Sequence, residues 1–177
     1  MTEWYEHVSS SDIAEQVMRL LIKTSLTRQE LERVRAEGQG DGQRALVIGG
    51  GGKMGRWFAA FLDSQGYDVT IADPAGQFGE FAHLDDWQDS AEDFAVSVIA
   101  APLQVSAEIL SAMADRQHAG LIFDIGSLKA PLIPALRKLA DSGMQVTSLH
   151  PMFGPDAELL SGKHVLFLDA GNAAATQ

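Results

Sequence analysis

The chain has 177 residues, 46% of them hydrophobic, a formal net charge of −11 and no cysteine. That length suits one domain with a small appendage, and the charge argues against nucleic acid or an anionic membrane surface as a partner. The missing cysteines exclude disulfides, thiolate catalysis and Cys-based zinc sites. No apolar run approaches the ~20 residues of a membrane span and MTEWYEHVSSSD is no signal peptide, so a soluble cytoplasmic protein without a metal site is expected.

Residues 1–36 read as an amphipathic helical segment. Ile13, Val17, Leu20, Leu21 and Thr24 recur at helical spacing, Leu31 and Val34 extend the stripe, and Ser10, Ser11 and Asp12 can cap its start, with Glu15 three residues after Asp12. A lone helix cannot bury its own stripe, so it must pack on something. Residues 37–43, with three glycines among polar residues, read as a flexible linker.

From Arg44 onward, apolar runs alternate with helical patterns. Strands are expected at 45–49 (ALVIG), 68–73 (DVTIAD), 94–102 (FAVSVIAAP), 120–126 (GLIFDIG), 144–151 (MQVTSLHP) and 164–171 (HVLFLDAG). Helices follow Met54, run from Val105 to Arg116, and run from Pro131 to Asp141 with Pro131 in the first turn. Residues 74–93 read as irregular and acidic, and the tail NAAATQ as fraying. Continuous apolar strands alternating with helices imply a mainly parallel sheet covered on both faces. The expected fold is therefore α/β, a Rossmann-type doubly wound sheet plus the N-terminal helix, with residues 44–177 forming a dinucleotide-binding domain.

Gly50-Gly51-Gly52-Lys53-Met54-Gly55 satisfies G-x-G-x-x-G between a strand and a helix. In that setting Gly50 permits the tight turn, Gly52 lets a pyrophosphate approach the backbone, and Gly55 lets helix and strand pack closely. The N-terminus of the helix offers free N–H groups and partial positive charge to phosphates. Lys53 and Met54 belong to the same loop, and Arg56 is a candidate phosphate contact. The plainer alternative is a tight strand–helix turn. Asp73 lies 23 residues after Gly50, where the fingerprint places an acid on the adenine ribose; alternatively it only starts an Asp-Pro turn. No Lys or Arg occurs from Pro74 through Asp115, so nothing there neutralises a 2′-phosphate, and NAD is favoured over NADP.

Ligands of a doubly wound sheet sit beyond the carboxyl ends of its strands. Ala101 and Pro102 close the third expected strand, Ser127 and Lys129 follow the fourth, and His150 closes the fifth. A dehydrogenase acting on a carbinol needs a group to take the hydroxyl proton, and neutral histidine suits that task. His150 is better placed than His7, His83, His118 or His164. His150 can equally be a loop residue bonded to backbone, and Ser127 and Lys129 can be cap and surface residues.

VIGGGGKMGRWF, APLQV, DIGSLK and LHPMFGPD, in that order and over roughly residues 44–170, resemble the prephenate dehydrogenases of tyrosine biosynthesis. The resemblance implies NAD(P)-dependent oxidative decarboxylation of prephenate to 4-hydroxyphenylpyruvate. It assigns His150 to the substrate hydroxyl as hydrogen-bond acceptor and catalytic base, Ser127 to the same hydroxyl, and Lys129 to a supporting role. LLIKTSLTRQEL (20–31) resembles the last helix of a chorismate mutase module, with Thr24 and Gln29 at active-site positions, but the two preceding helices are absent and no mutase activity is expected. The family continues into a helical domain that forms a homodimer and supplies an arginine for a substrate carboxylate, and this chain stops at Gln177. The expectation is a truncated chain that binds NAD and oxidises prephenate poorly or not at all. Arogenate is an alternative substrate. A β-hydroxyacid-type dehydrogenase is disfavoured by HPMFGP, and a non-catalytic NAD-sensing domain stands as the reading from a different class.

Overall fold

The computed structural model describes residues 10–76, 78–158, 160–168 and 170, with the side chains of 10–14 left aside. The expected capping by Ser10, Ser11 and Asp12 and the fraying tail lie outside what is described. The elements are α1 (Ser10–Ala36), β1 (Arg44–Ile48), α2 (Lys53–Ser64), β2 (Asp68–Ala72), β3 (Ala82–Leu84), a 3-10 turn at Trp87–Asp89, β4 (Val96–Ile99), α3 (Leu103–Arg116), β5 (Leu121–Asp124), α4 (Ile133–Asp141), β6 (Gln145–Pro151) and β7 (Val165–Leu168).

These strands form one sheet of order β3-β2-β1-β4-β5-β6-β7, parallel except for the antiparallel β6–β7 pair. The fold is the expected α/β, Rossmann-type sheet. Alternation along β1 shows why its strands read as unbroken apolar runs. Ala45 and Val47 join Phe58, Ala59 and Leu62 of α2, whereas Leu46 and Ile48 join Leu110 and Met113 of α3 and Leu136 and Leu139 of α4. Each residue from Ala45 to Ile48 thus has a helix to cover it on whichever face it points to. The order reverses between β1 and β4, which pair directly. Ligands of such sheets bind at that reversal, where the loops leaving the two strands part.

Three local expectations change. Residues 82–84 of the acidic segment form β3, a three-residue parallel edge strand registered on Thr70–Ala72. α4 begins at Ile133, so Pro131 lies in the turn before it, and Pro134 occupies the first turn. The glycine segment 37–43 is fastened at two points: Gly40 N donates to Gln65 O and Gly42 N to Gly66 O. Gly40 lies so close to Gly66 and Tyr67 that a Cβ would come within 2.5 Å of their backbone, so glycine here serves close approach as well as freedom.

α1 docks through its C-terminal half. Glu30 Oε1 accepts from the backbone N–H groups of Leu160 and Ser161 at 2.5 and 2.7 Å, and Gln65 Nε2 donates to Val34 O. The stripe residues Val17, Leu20 and Leu21 remain exposed, so only part of the expected packing is present. No helix among the described residues is long and apolar enough to cross a membrane.

Candidate active site

The loop leaving β1 runs Gly49 to Gly52 and enters α2 directly, with Gly52 as its N-cap and no side-chain cap bond. The N–H groups of the first helical turn are therefore free to bind an anion. Gly49, rather than Gly50, carries the positive φ of the turn, at +80°. A Cβ at Gly49 would come within 2.7 Å of Ala101 N, which holds the β1 and β4 loops against each other. Gly50 is needed for room: its Cβ would meet Ile71 Cγ2 at 2.5 Å. Gly55 abuts the backbone of Gly49 and Gly50, as close helix–strand packing requires. At Gly52 a Cβ would meet only Gly49 O, at 3.3 Å, and otherwise open space. That open flank fits a pyrophosphate lying on the backbone.

Asp73 follows β2 and faces the loop. Its Oδ2 accepts from Gly51 N and its Oδ1 from Ala75 N, each at 2.9 Å, while His83 Nε2 donates to its backbone oxygen at 2.9 Å. Both carboxylate oxygens keep lone pairs for further donors. A groove of about 1150 Å³ opens beside it, lined by Gly49, Gly51 and Gly52, by Ala101 and Pro102, and by the acids Asp73, Asp85, Asp86 and Glu108, with no cation among the described residues. Its volume and its place at the reversal of strand order fit an extended dinucleotide. Of the other loop candidates, Lys53 is exposed, Met54 packs half-buried against the α2 core, and the Arg56 guanidinium lies 5.9 Å from the centre of the Phe78 ring.

Across β4, the ends of β5 and β6 carry the second group. Ser127 is exposed in the turn after β5, and His150 is half-buried near the end of β6. His150 Nδ1 is buried without a hydrogen-bond partner among the described residues, which leaves Nε2 as the ring nitrogen a ligand can reach. Lys129 is turned inward: its Nζ donates to Asp124 Oδ2 at 2.7 Å and to Leu149 O at 2.6 Å. Burial lowers the Lys129 pKa from its ordinary value, and the hydrogen bond and charge of Asp124 oppose that shift.

Asp124 itself drew no notice in the sequence. It is fully buried and also accepts from Ser148 Oγ at 2.5 Å and from Gly126 N at 2.9 Å. An acid at the end of an apolar strand, followed five residues later by a lysine, was the available signal, because a buried carboxylate needs partners.

His118 and His164 stand apart. His118 Nε2 is 2.8 Å from Ser97 Oγ beside Trp87 and Phe94, near the amino end of β5, and His164 contributes its backbone oxygen to Met152 N. His7 lies outside the described residues. No group of three His, Asp or Glu among the described residues is arranged to hold a metal ion.

The sequence is similar to those of known proteins. A T-protein of Enterobacter agglomerans is 25% identical over 94% of the chain and 42% of its own length. A T-protein of Haemophilus influenzae is 24% identical over 90% of the chain and 40% of its own length. A protein of Methanocaldococcus jannaschii, described as a probable arogenate/prephenate dehydrogenase, is 27% identical over 64% of the chain and 27% of its own length. The chain thus spans less than half the length of each of these relatives. Residues 72–173, more than half of the chain, match the family described as prephenate dehydrogenase, nucleotide-binding domain, and the chain belongs to that family.

Proposed function

We infer that the chain serves the NAD-dependent oxidative decarboxylation of prephenate to 4-hydroxyphenylpyruvate, with arogenate as the alternative substrate. The observation that carries this reading is the placement of His150: half-buried, at the carboxyl end of β6, with the carbonyl of the preceding residue held by Lys129. A histidine so held can take a proton from a ligand at the strand ends.

The residues present fit the dinucleotide. Backbone N–H groups at the start of α2, around Gly52, Lys53 and Met54, would hold the pyrophosphate. Asp73 would take the adenine ribose, and Ala101 and Pro102 would flank the path toward the nicotinamide. The acidic lining, with no cation, favours NAD over NADP, whose 2′-phosphate would meet Asp73 and its acidic neighbours unneutralised. When bound, NAD supplies the hydride acceptor. His150 accepts the proton of the ring hydroxyl as that carbon is oxidised. Ser127 orients the same hydroxyl, and Lys129 keeps the His150 peptide in place. Loss of the ring carboxylate as carbon dioxide leaves the electron pair that makes the ring aromatic.

The test is NADH formation with prephenate and then with arogenate, by wild type and His150→Asn, with NAD binding measured in both. Turnover that is lost in His150→Asn while NAD binding persists supports the reading. NAD binding by the wild type without turnover of either substrate would overturn it in favour of a binding domain.

A further inference from the structure

Asp124 joins the two segments that carry the candidate chemistry. The β5–β6 ladder ends where Asp124 pairs with Ser148, and Asp124 Oδ1 takes the Ser148 hydroxyl. One residue further along β6, the carbonyl of Leu149 accepts from Lys129, whose ammonium is itself held by Asp124 Oδ2. That carbonyl belongs to the peptide group whose nitrogen is His150. On the other side, Asp124 Oδ2 accepts from Gly126 N, at the start of the turn that presents Ser127. Lys129 is only 11% exposed and the carboxylate is fully buried, so water screens this pair poorly. A buried carboxylate with three donors, one of them a cation, is well compensated. Removing its charge would loosen both segments together.

We propose that Asp124 is a positioning residue: through Lys129 and Ser148 it fixes the peptide that carries His150, and through Gly126 it fixes the turn that carries Ser127. The role rests on reading His150 and Ser127 as the residues that meet the substrate hydroxyl. Asp124 touches neither substrate nor cofactor. It acts on the distance between two side chains that must meet one oxygen atom, and small errors in such geometry lower rate more than binding. The glycine loop and Asp73 are held by other contacts, so cofactor affinity is not its concern.

The test uses the full chain, the single variants Asp124→Asn, Ser148→Ala and Lys129→Met, and the Asp124→Asn, Lys129→Met double variant. Two quantities are followed: the His150 ring signal by NMR, assigned with His150→Asn, and the kinetics of NADH formation from prephenate. For Asp124→Asn the expected result is a displaced His150 signal, kcat lowered about tenfold or more, and the KM for NAD within about twofold of wild type. Lys129→Met should do the same, and the double variant should lose little more than either alone, because both break one chain of contacts. Ser148→Ala breaks one arm only and should give a smaller change in the same direction; it decides the matter if Asp124→Asn fails to fold. A wild-type His150 signal in folded Asp124→Asn or Ser148→Ala would overturn the proposal, as would equal losses in NAD affinity and kcat. If the wild type turns over neither prephenate nor arogenate, the functional reading falls, and the NMR arm still decides whether Asp124 positions His150.

Discussion

Asp73 Oδ2 accepts a hydrogen bond from the backbone N–H of Gly51 at 2.9 Å, tying the end of β2 to the loop that follows β1. The same carboxylate is the proposed contact to the adenine ribose, so on that proposal it has two tasks, shaping the loop and meeting the dinucleotide. Charge-assisted hydrogen bonds of this kind contribute about 1.5–3 kcal/mol each. Asp73→Ser is expected to weaken NAD binding about tenfold or more and to narrow the preference for NAD over NADP, since a negative charge near the 2′-position is gone. Calorimetric titration with both dinucleotides checks this. An unchanged NAD:NADP ratio would show that Asp73 orders the loop without reading the ribose.

Gly52 and Gly55 are three residues apart and should fail in different ways. A Cβ at Gly55 would strike the Gly49 and Gly50 backbone, which cannot turn aside as a flexible side chain would. Gly55→Ala should cost about 1–3 kcal/mol of stability, the usual range for overpacking, read as a lower urea midpoint. A Cβ at Gly52 meets only Gly49 O at 3.3 Å. Gly52→Ala should leave the midpoint nearly unchanged and lower NAD affinity about tenfold or more, because its methyl would occupy the open flank. Similar losses of stability in the two variants would contradict this division.

What the sequence made legible followed from strong local patterns. Short, mostly apolar runs at β1 and β2 and a glycine string before an amphipathic helix left few readings of residues 44–73. The strand ends at Ala101, Ser127 and His150 followed once the doubly wound order was assumed. β3 escaped because three residues, Ala82–Leu84, hold too little pattern to display a period. Gly49 escaped because the motif begins one residue later, although the positive φ is carried there. Lys129 was recognised as part of a motif, but its inward direction depends on Asp124, a partner that only tertiary structure supplies. The exposure of Val17, Leu20 and Leu21 was equally hidden, since an amphipathic pattern says that a face wants burial and not what covers it.

His118 predicts a pH dependence of stability away from the groove. Its pKa is lowered from the ordinary 6.5, chiefly because burial penalises the charged ring, with nearby Asp93 opposing the shift. The unfolded chain therefore takes up a proton at a higher pH than the folded chain does. Stability should fall as pH drops below 6.5 toward the depressed folded value, and should be insensitive to this group above 6.5. His118→Phe should flatten that limb of a urea-midpoint profile. NAD affinity should stay unchanged, because the ring lies near the amino end of β5. A profile with the same slope in His118→Phe would assign the dependence to other groups.

Glu30 gives a prediction about the N-terminal helix, taken as a segment separable from the domain at residues 37–43. One carboxylate oxygen of Glu30 receives two backbone N–H groups, from Leu160 and Ser161, in the segment that continues from His150 through Phe153. Lys23 adds an exposed ion pair to Glu158 at 2.9 Å, which in that setting contributes little. Of the two charged contacts the weight thus falls on Glu30, and its bonds, to a charged acceptor, are also of a stronger kind than the neutral one from Gln65 to Val34 O. Glu30→Ala should release α1 by about 1–3 kcal/mol, whereas Lys23→Ala should change little. Limited proteolysis reads the difference: cleavage within 37–43 should accelerate in Glu30→Ala, and the fragment beginning near Arg44 should persist as a folded domain. The urea midpoint of that fragment should match the intact variant, because the cores on both faces of the sheet are built without α1. Loss of the fragment along with the helix would mean that α1 is integral to the fold and that 37–43 is no boundary.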